Sequence, residues 1–286
     1  MSDPSSAFNP DKLSRLVLIV AAALLVLLLV LTGFNIAVRI PDEAETDAFG
    51  DPLDTSLSDE EWETDEEGET KDQAPQGDGI TLIRTDDAGM EYQDSLVFVG
   101  DSLTANLINK GVLTGGTNTR QVWRTESNVF NLNAEVTSTK IVFPGTGEKL
   151  TVAEAAKSAK PAVLIVTLGA DWGVSYLSEE EFKACYDKLV KGILKASPKT
   201  DVVLQSIFPV TAGCASLDND RIDTANKWVK EIAAANECYY LDTQSVLKDE
   251  NNCLMADYCD STDGIHLNQA AYEVILTYVR THAVPD

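Results

Sequence analysis

Ser102 follows the apolar run Leu96-Val97-Phe98-Val99 in the stretch Gly100-Asp101-Ser102-Leu103. A serine delivered at the end of a buried strand is placed to act as a nucleophile, but its hydroxyl is weak at neutral pH and needs a neighbouring base. The chain has only two histidines, and one of them, His266, lies in Asp263-Gly264-Ile265-His266. An imidazole takes a serine proton well when a carboxylate fixes its tautomer and steadies the imidazolium. Asp263 is spaced for that role, because one short loop then carries both groups to the serine. His282, near the C-terminus, reads as a solvated surface residue.

These groups need a scaffold that brings residues 102 and 263–266 together. Apolar runs of strand length recur at Leu96 to Val99, Ala162 to Leu168, Val202 to Ser206 and Cys238 to Leu241. Helical patterns alternate with them at Ser178 to Ala196 and Asp220 to Ala235, and a last helix starts at Asn268. Ser178-Glu179-Glu180-Glu181 has the form of a capping box, and Ser197-Pro198 ends the same helix. Near-continuous apolar strands alternating with amphipathic helices predict an α/β fold with a parallel sheet covered on both faces. Ligands of such sheets bind beyond the carboxyl ends of the strands. Ser102, Asp171 and the segment after Ile207 all follow predicted strands, so they are expected at one edge. Between 111 and 150 the pattern gives a turn at 114–118, an extra strand over Lys140 to Phe143, a hairpin turn at Pro144-Gly145-Thr146-Gly147 and a helix capped by Thr151. Trp228 and Tyr272 fall in helical patterns and read as core.

The N-terminal third is of another kind. The apolar run from Leu16 to Leu31, with Thr32 to Val38 after it, approaches the roughly 20 residues needed to span a bilayer. Lys12 and Arg15 precede it and acidic residues follow, so the positive-inside bias places residues 1–12 in the cytoplasm, a single-pass anchor at 13–38, and the rest outside. Ile36-Ala37-Val38 is a poor cleavage site, which favours an uncleaved anchor in the cell membrane. Pro41 to Gly79 holds sixteen Asp or Glu against one lysine, with few large apolar residues. Such a segment cannot bury enough surface to offset its ordering entropy, so 39–79 reads as a disordered acidic linker. It shows no calcium-loop pattern.

Residues 80–286 then form one domain, with 28 acidic against 18 basic residues. That balance argues against nucleic acid as a partner. Its five cysteines show no paired Cys-x-x-Cys pattern, and no metal or cofactor is expected from them. Outside the cytoplasm disulfides persist, and Cys253 with Cys259 would close a short loop, while Cys185 reads as a buried apolar residue.

The chain resembles the SGNH, or GDSL, hydrolase family. The resemblance rests on Gly100-Asp101-Ser102-Leu103 and Asp263-Gly264-Ile265-His266, in that order and at a suitable separation, and covers about residues 92 to 284. It implies a three-layer α/β/α sandwich with a mainly parallel, flavodoxin-like sheet, and esterase, lipase, carbohydrate acetylesterase or acyltransfer activity. It further implies Ser102 as nucleophile, His266 as base, Asp263 as its orienting partner and the Ser102 amide as one donor to the oxyanion. Family members add a glycine amide from a second block and an asparagine side chain from a third, Gly-x-Asn-Asp. Here the third block reads Gly169-Ala170-Asp171-Trp172, so a carboxylate stands where the amide should donate. The second block falls in Trp123 to Asn128, which holds no glycine. Gly169, Asp171 and Trp172 are the candidate oxyanion and substrate-binding residues, and Trp172 and Trp123 suit either a sugar cleft or a core.

The resulting expectation is an extracytoplasmic serine esterase removing acyl groups, such as acetyl, from cell-envelope carbohydrate or small esters. Asp171 and the missing second-block glycine favour an alternative, a catalytically impaired glycan-binding module of the same fold. An O-acetyltransferase is a variant that needs an acceptor able to outcompete water. A structural wall-associated protein, with the tether as its main functional element, is a third class.

Overall fold

The computed structural model describes residues 78–285. The cytoplasmic N-terminus expected at 1–12, the anchor expected at 13–38 and the expected linker up to residue 77 lie outside the described residues. Among the described residues no helix is long and apolar enough to cross a membrane. Asp78 accepts a hydrogen bond from the Thr81 amide at 2.7 Å and pairs with Lys230 Nζ at 2.6 Å, which ties it to the folded domain.

Five strands, β1 (Leu96–Gly100), β2 (Val122–Trp123), β5 (Val163–Thr167), β6 (Asp201–Gln205) and β7 (Tyr239–Leu241), form a sheet of order β2-β1-β5-β6-β7, all in parallel. Strands β3 (Lys140–Val142) and β4 (Lys149–Thr151) make a separate antiparallel hairpin through the expected turn at 144–147. Beyond the outer strand β7, a single bridge from Thr81 to Tyr240 lays the N-terminal segment along the sheet edge, where it occupies backbone groups that would otherwise template another chain.

Helices α1 (Gly89–Ser95), α2 (Ser102–Asn109), α3 (Val152–Ala159), α4 (Glu179–Ala196), α5 (Asn219–Ala235) and α6 (Gln269–Arg280) cover the sheet. The strands point alternate residues to opposite faces, and both faces are apolar. Val99, Leu164, Val166, Val202 and Leu204 pack with residues of α3, α4 and α5. Leu96, Phe98, Val163, Ile165 and Val203 pack with residues of α2 and α6. This double burial explains why the strands read as unbroken apolar runs and confirms the α/β layering. Both capping boxes form: Ser178 with Glu181 opens α4 and Thr151 with Glu154 opens α3.

The chain leaves β1 toward β2 on one side and leaves β5 toward β6 on the other, so the two connections run in opposite directions along the sheet. A crevice opens at such a reversal, beyond the carboxyl ends of the two diverging strands. The segments that leave β1 and β5 begin at Asp101 and Leu168.

Candidate active site

Gly100 must be a glycine because β1 and β5 approach closely there: a Cβ would stand 2.2 Å from both the Thr167 carbonyl oxygen and Thr104 Oγ1. The chain then turns at Asp101, whose Oδ1 accepts from the Leu103 amide at 3.2 Å and caps α2. Ser102 is thereby held in the first turn of that helix, where backbone N–H groups and the helix dipole favour negative charge.

The second arm comes from β5. Gly169 has φ +132°, and a Cβ there would lie 2.6 Å from Ile207 Cδ1, so neither the backbone nor the space admits a side chain. The Ala170 amide donates to Asp101 Oδ2 at 3.0 Å, which locks this turn against the β1 turn and aims Asp171 at Ser102. The Asp171 carboxylate grips the serine twice. Its Oδ2 accepts from the Ser102 amide at 2.9 Å, and its Oδ1 accepts from the Ser102 hydroxyl at 2.6 Å.

The third arm enters from the loop before α6. Asn268 caps that helix by accepting from the Ala271 amide, and the Asp260 amide donates to the His266 carbonyl at 2.8 Å. From the other side, buried Asn226 bonds both the amide and the carbonyl of Ile207, which fixes the segment after β6. Farther along that segment, Thr211 donates its amide to the Gly264 carbonyl at 2.9 Å. His266 Nδ1 lies 2.6 Å from Asp263 Oδ2, and Nε2 lies 3.4 Å from Ser102 Oγ. With Nδ1–H donating to Asp263, the Nε2 lone pair faces the serine.

Two carboxylates at the site, Asp263 and Asp101, are treated oppositely. Partial burial works against Asp263, but hydrogen bonds from Ser261, the Ile265 amide, the His266 ring and the His266 amide hold its carboxyl well below the usual range. Asp101 is fully buried, and that burial together with the charge of Asp171 pushes it up to about 7, against hydrogen bonds from the Ala170, Leu103 and Asp171 amides.

All the sequence-predicted site residues except Trp172 converge on Ser102 or shape its crevice. Trp172 lies next to Asp171 but turns outward: it is 37 % exposed and stacks on Tyr176 at 4.1 Å between ring centroids, 16° from parallel. Trp123, the other aromatic considered for a cleft, is buried in the core against Phe143. His282 is not simply solvated, because its ring stacks on Tyr278 at 3.7 Å and Nδ1 contacts the Tyr278 carbonyl. All five cysteines are free thiols, and Cys253 and Cys259 turn to the separate carbonyls of Asn251 and Ser261 instead of joining. Residues 124–128 supply no glycine amide. They bond among themselves, with Arg124 Nη1 donating to Asn128 Oδ1 at 2.6 Å. Asp101 and Tyr176 are the residues that the sequence did not single out. An aspartate before the serine signals a helix cap in sequence, but only burial reveals its titration. Among the described residues no group of three or more His, Cys, Asp or Glu is placed to hold a metal ion.

The hydroxyl proton of Ser102 is single, and two groups compete for it. Asp171 Oδ1 at 2.6 Å is much nearer than His266 Nε2 at 3.4 Å. Asp171 also occupies the Ser102 amide, the donor that an oxyanion would need.

Comparison with curated proteins finds no match. Among solved structures the chain is similar to a GDSL-like lipase from Bacteroides thetaiotaomicron (16 % identity, 66 % of this chain and 87 % of that one, TM-score 0.47). It is also similar to the lipase/acylhydrolase from Enterococcus faecalis (17 %, 65 % and 93 %, 0.41) and to a Clostridium thermocellum family 3 carbohydrate esterase (13 %, 64 % and 91 %, 0.42). The model of the GDSL-like lipase/acylhydrolase family matches residues 98–274, from β1 through the His266 loop into α6, and this chain belongs to that family.

Proposed function

We propose that the chain is a serine esterase in which Ser102 attacks an ester carbonyl, His266 is the base and Asp263 orients it, and that Asp171 holds the site in a restrained state. The observation that carries this reading is the relay Asp263 Oδ2 to His266 Nδ1 at 2.6 Å and His266 Nε2 to Ser102 Oγ at 3.4 Å. In the reaction, Ser102 Oγ bonds to the carbonyl carbon as its proton passes to His266 Nε2. The tetrahedral intermediate collapses, the alcohol oxygen leaves with the proton from His266, and the acyl group stays on Ser102. Water, deprotonated by His266, then releases the carboxylic acid and restores the serine.

Asp171 opposes this at the oxyanion. Absence of one donor typically costs about 2.7 to 4 kcal/mol of transition-state stabilisation. A carboxylate ~4 Å from the developing charge adds repulsion of about 4 kcal/mol at an effective dielectric of 20. Turnover in the resting arrangement is therefore slow, and it rises when Asp171 swings aside.

For the alcohol part we favour a carbohydrate, with an acyl group as small as acetyl. The exposed Trp172–Tyr176 stack beside Asp171 supports this, since it offers a flat apolar face to the C–H surface of a sugar ring. The apolar run Leu16 to Leu31 supports a location on the outer side of a cell membrane. Labelling the full chain with a fluorophosphonate, alongside hydrolysis of p-nitrophenyl acetate, tests the mechanism. Ser102 is expected to take the label, and Ser102→Ala is expected to lose both label and turnover. Hydrolysis that survives Ser102→Ala sinks the reading.

The bidentate grip of Asp171 on Ser102 favours a second reading, a glycan-binding module that keeps the fold without turnover. Under it, Ser102 stays unlabelled while acetylated oligosaccharide still binds.

A further inference from the structure

A polar cavity of about 510 Å³ lies against the edge strand β2, lined among others by Thr117, Thr119, Arg120, Arg124, Thr125 and Glu126. We propose that this cavity binds a phosphate group between the guanidinium groups of Arg120 and Arg124. The two arginines flank strand β2: Arg120 lies in the bend before it and Arg124 directly after it, and both line the cavity together with Val122. The antiparallel bridge from Arg124 to Val142 docks the β3–β4 hairpin at the end of β2, which places the turn at 144–147 against Arg120. Gly145, at φ +88°, makes that turn: a Cβ on it would be in ordinary contact with the Arg120 guanidinium, 3.4 Å from Cζ and 3.6 Å from both Nε and Nη1.

The charges are what call for a ligand. The domain has 28 acidic and 18 basic residues, and eight of those cations join an ion pair. Among the described residues, however, neither Arg120 nor Arg124 joins an ion pair. The one side-chain hydrogen bond of Arg124 goes to the neutral amide oxygen of Asn128. Glu126, the one carboxylate lining the cavity, is taken by Lys149 Nζ at 2.6 Å. Two guanidinium groups without an acid between them repel each other, and their planar forks match tetrahedral and planar oxyanions in bidentate geometry. A phosphate group carries about 1.5 to 2 negative charges at neutral pH, which suits two arginines better than the single charge of a carboxylate. The Thr117 and Thr119 hydroxyls add donors to the remaining oxygens.

This site does not involve Ser102, so it stands or falls apart from the esterase reading. The test is titration of the full chain with inorganic phosphate, followed by calorimetry and by the phosphate-dependent rise in Tm. Saturable binding of one phosphate per chain is expected, with Arg120→Gln and Arg124→Gln each weakening it about tenfold. Replacing both arginines with lysine keeps the charge but removes the forks, and is expected to lower affinity while the Tm without phosphate stays unchanged. Labelling of Ser102 is expected to be the same in all these variants. No saturable binding, or binding unaffected in the double glutamine variant, overturns the proposal. Acetate binding as tightly as phosphate, with the same dependence on both arginines, overturns the assignment to phosphate.

Discussion

The two sides of Ser102 are built on opposite principles. On the His266 side, Asp263 is 43 % exposed at its side chain, receives several hydrogen bonds and is held ionised, so the imidazole is fixed with one nitrogen toward the serine. On the Asp171 side, a fully buried Asp101 is pushed up to about 7 beside a second carboxylate, which in turn covers the Ser102 amide and draws its hydroxyl. The first side is organised to accept a proton, while the second puts negative charge where the reaction would generate it. The two sides meet at the serine, where His266 Nε2 and Asp171 Oδ1 both face its hydroxyl.

The largest effect separates the sides genetically. In an Asp171→Asn background, Asp263→Asn is expected to lower kcat for p-nitrophenyl acetate by about 10⁴, because the imidazole loses its orienting charge and its tautomer. A drop of less than tenfold would mean that the relay does not carry the proton. Asp171→Asn alone comes next. It supplies an amide donor, frees the Ser102 amide and returns the hydroxyl proton to His266, so kcat/KM is expected to rise by about 10² to 10³. A fall instead would give Asp171 a catalytic role of its own and erase the contrast.

Smaller effects sharpen it. Trp172→Ala and Tyr176→Ala are each expected to raise KM for an acetylated sugar by about three- to tenfold, with p-nitrophenyl acetate unaffected. Equal losses on both substrates would assign the aromatic pair to the stability of the loop. The smallest expected effect is on stability against pH. Asp101 titrates higher in the folded chain than its ordinary value of 3.8, so folding favours its protonated form. Its contribution is complete below about pH 4 and is lost as pH rises toward about 7. Asp263, with a lowered value, acts the other way and loses its contribution as pH falls below the ordinary carboxylate range. Tm is therefore expected to decline from pH 4 to 7, and Asp171→Asn to reduce that decline by removing the neighbouring charge. An unchanged slope in differential scanning fluorimetry would uncouple the two aspartates.

Much of this was legible before any coordinates. The strands are buried on both faces and so appear as continuous apolar runs. The caps of α3 and α4 are written as Thr151-x-x-Glu154 and Ser178-x-x-Glu181. Strand β2 escaped notice because its two residues, Val122 and Trp123, carry no periodicity. Helix α1 is one turn longer than a bend and, with Gly89 at its start, has little intrinsic preference for helix. Tyr176 was invisible as a partner of Trp172 because their stacking comes from an irregular turn between β5 and α4, not from a helical face.

By itself the sequence determined the α/β layering, the order of serine, aspartate and histidine along the chain, and the anomaly at Asp171, since each rests on residue type and local spacing. Only the tertiary structure decided what the anomaly does. Ser102 and Asp171 are 69 positions apart, and no local pattern tells whether a carboxylate at that range faces away or takes both donors of the serine. The close approach of β1 and β5, and the tie between the Ala170 amide and buried Asp101, settle that geometry.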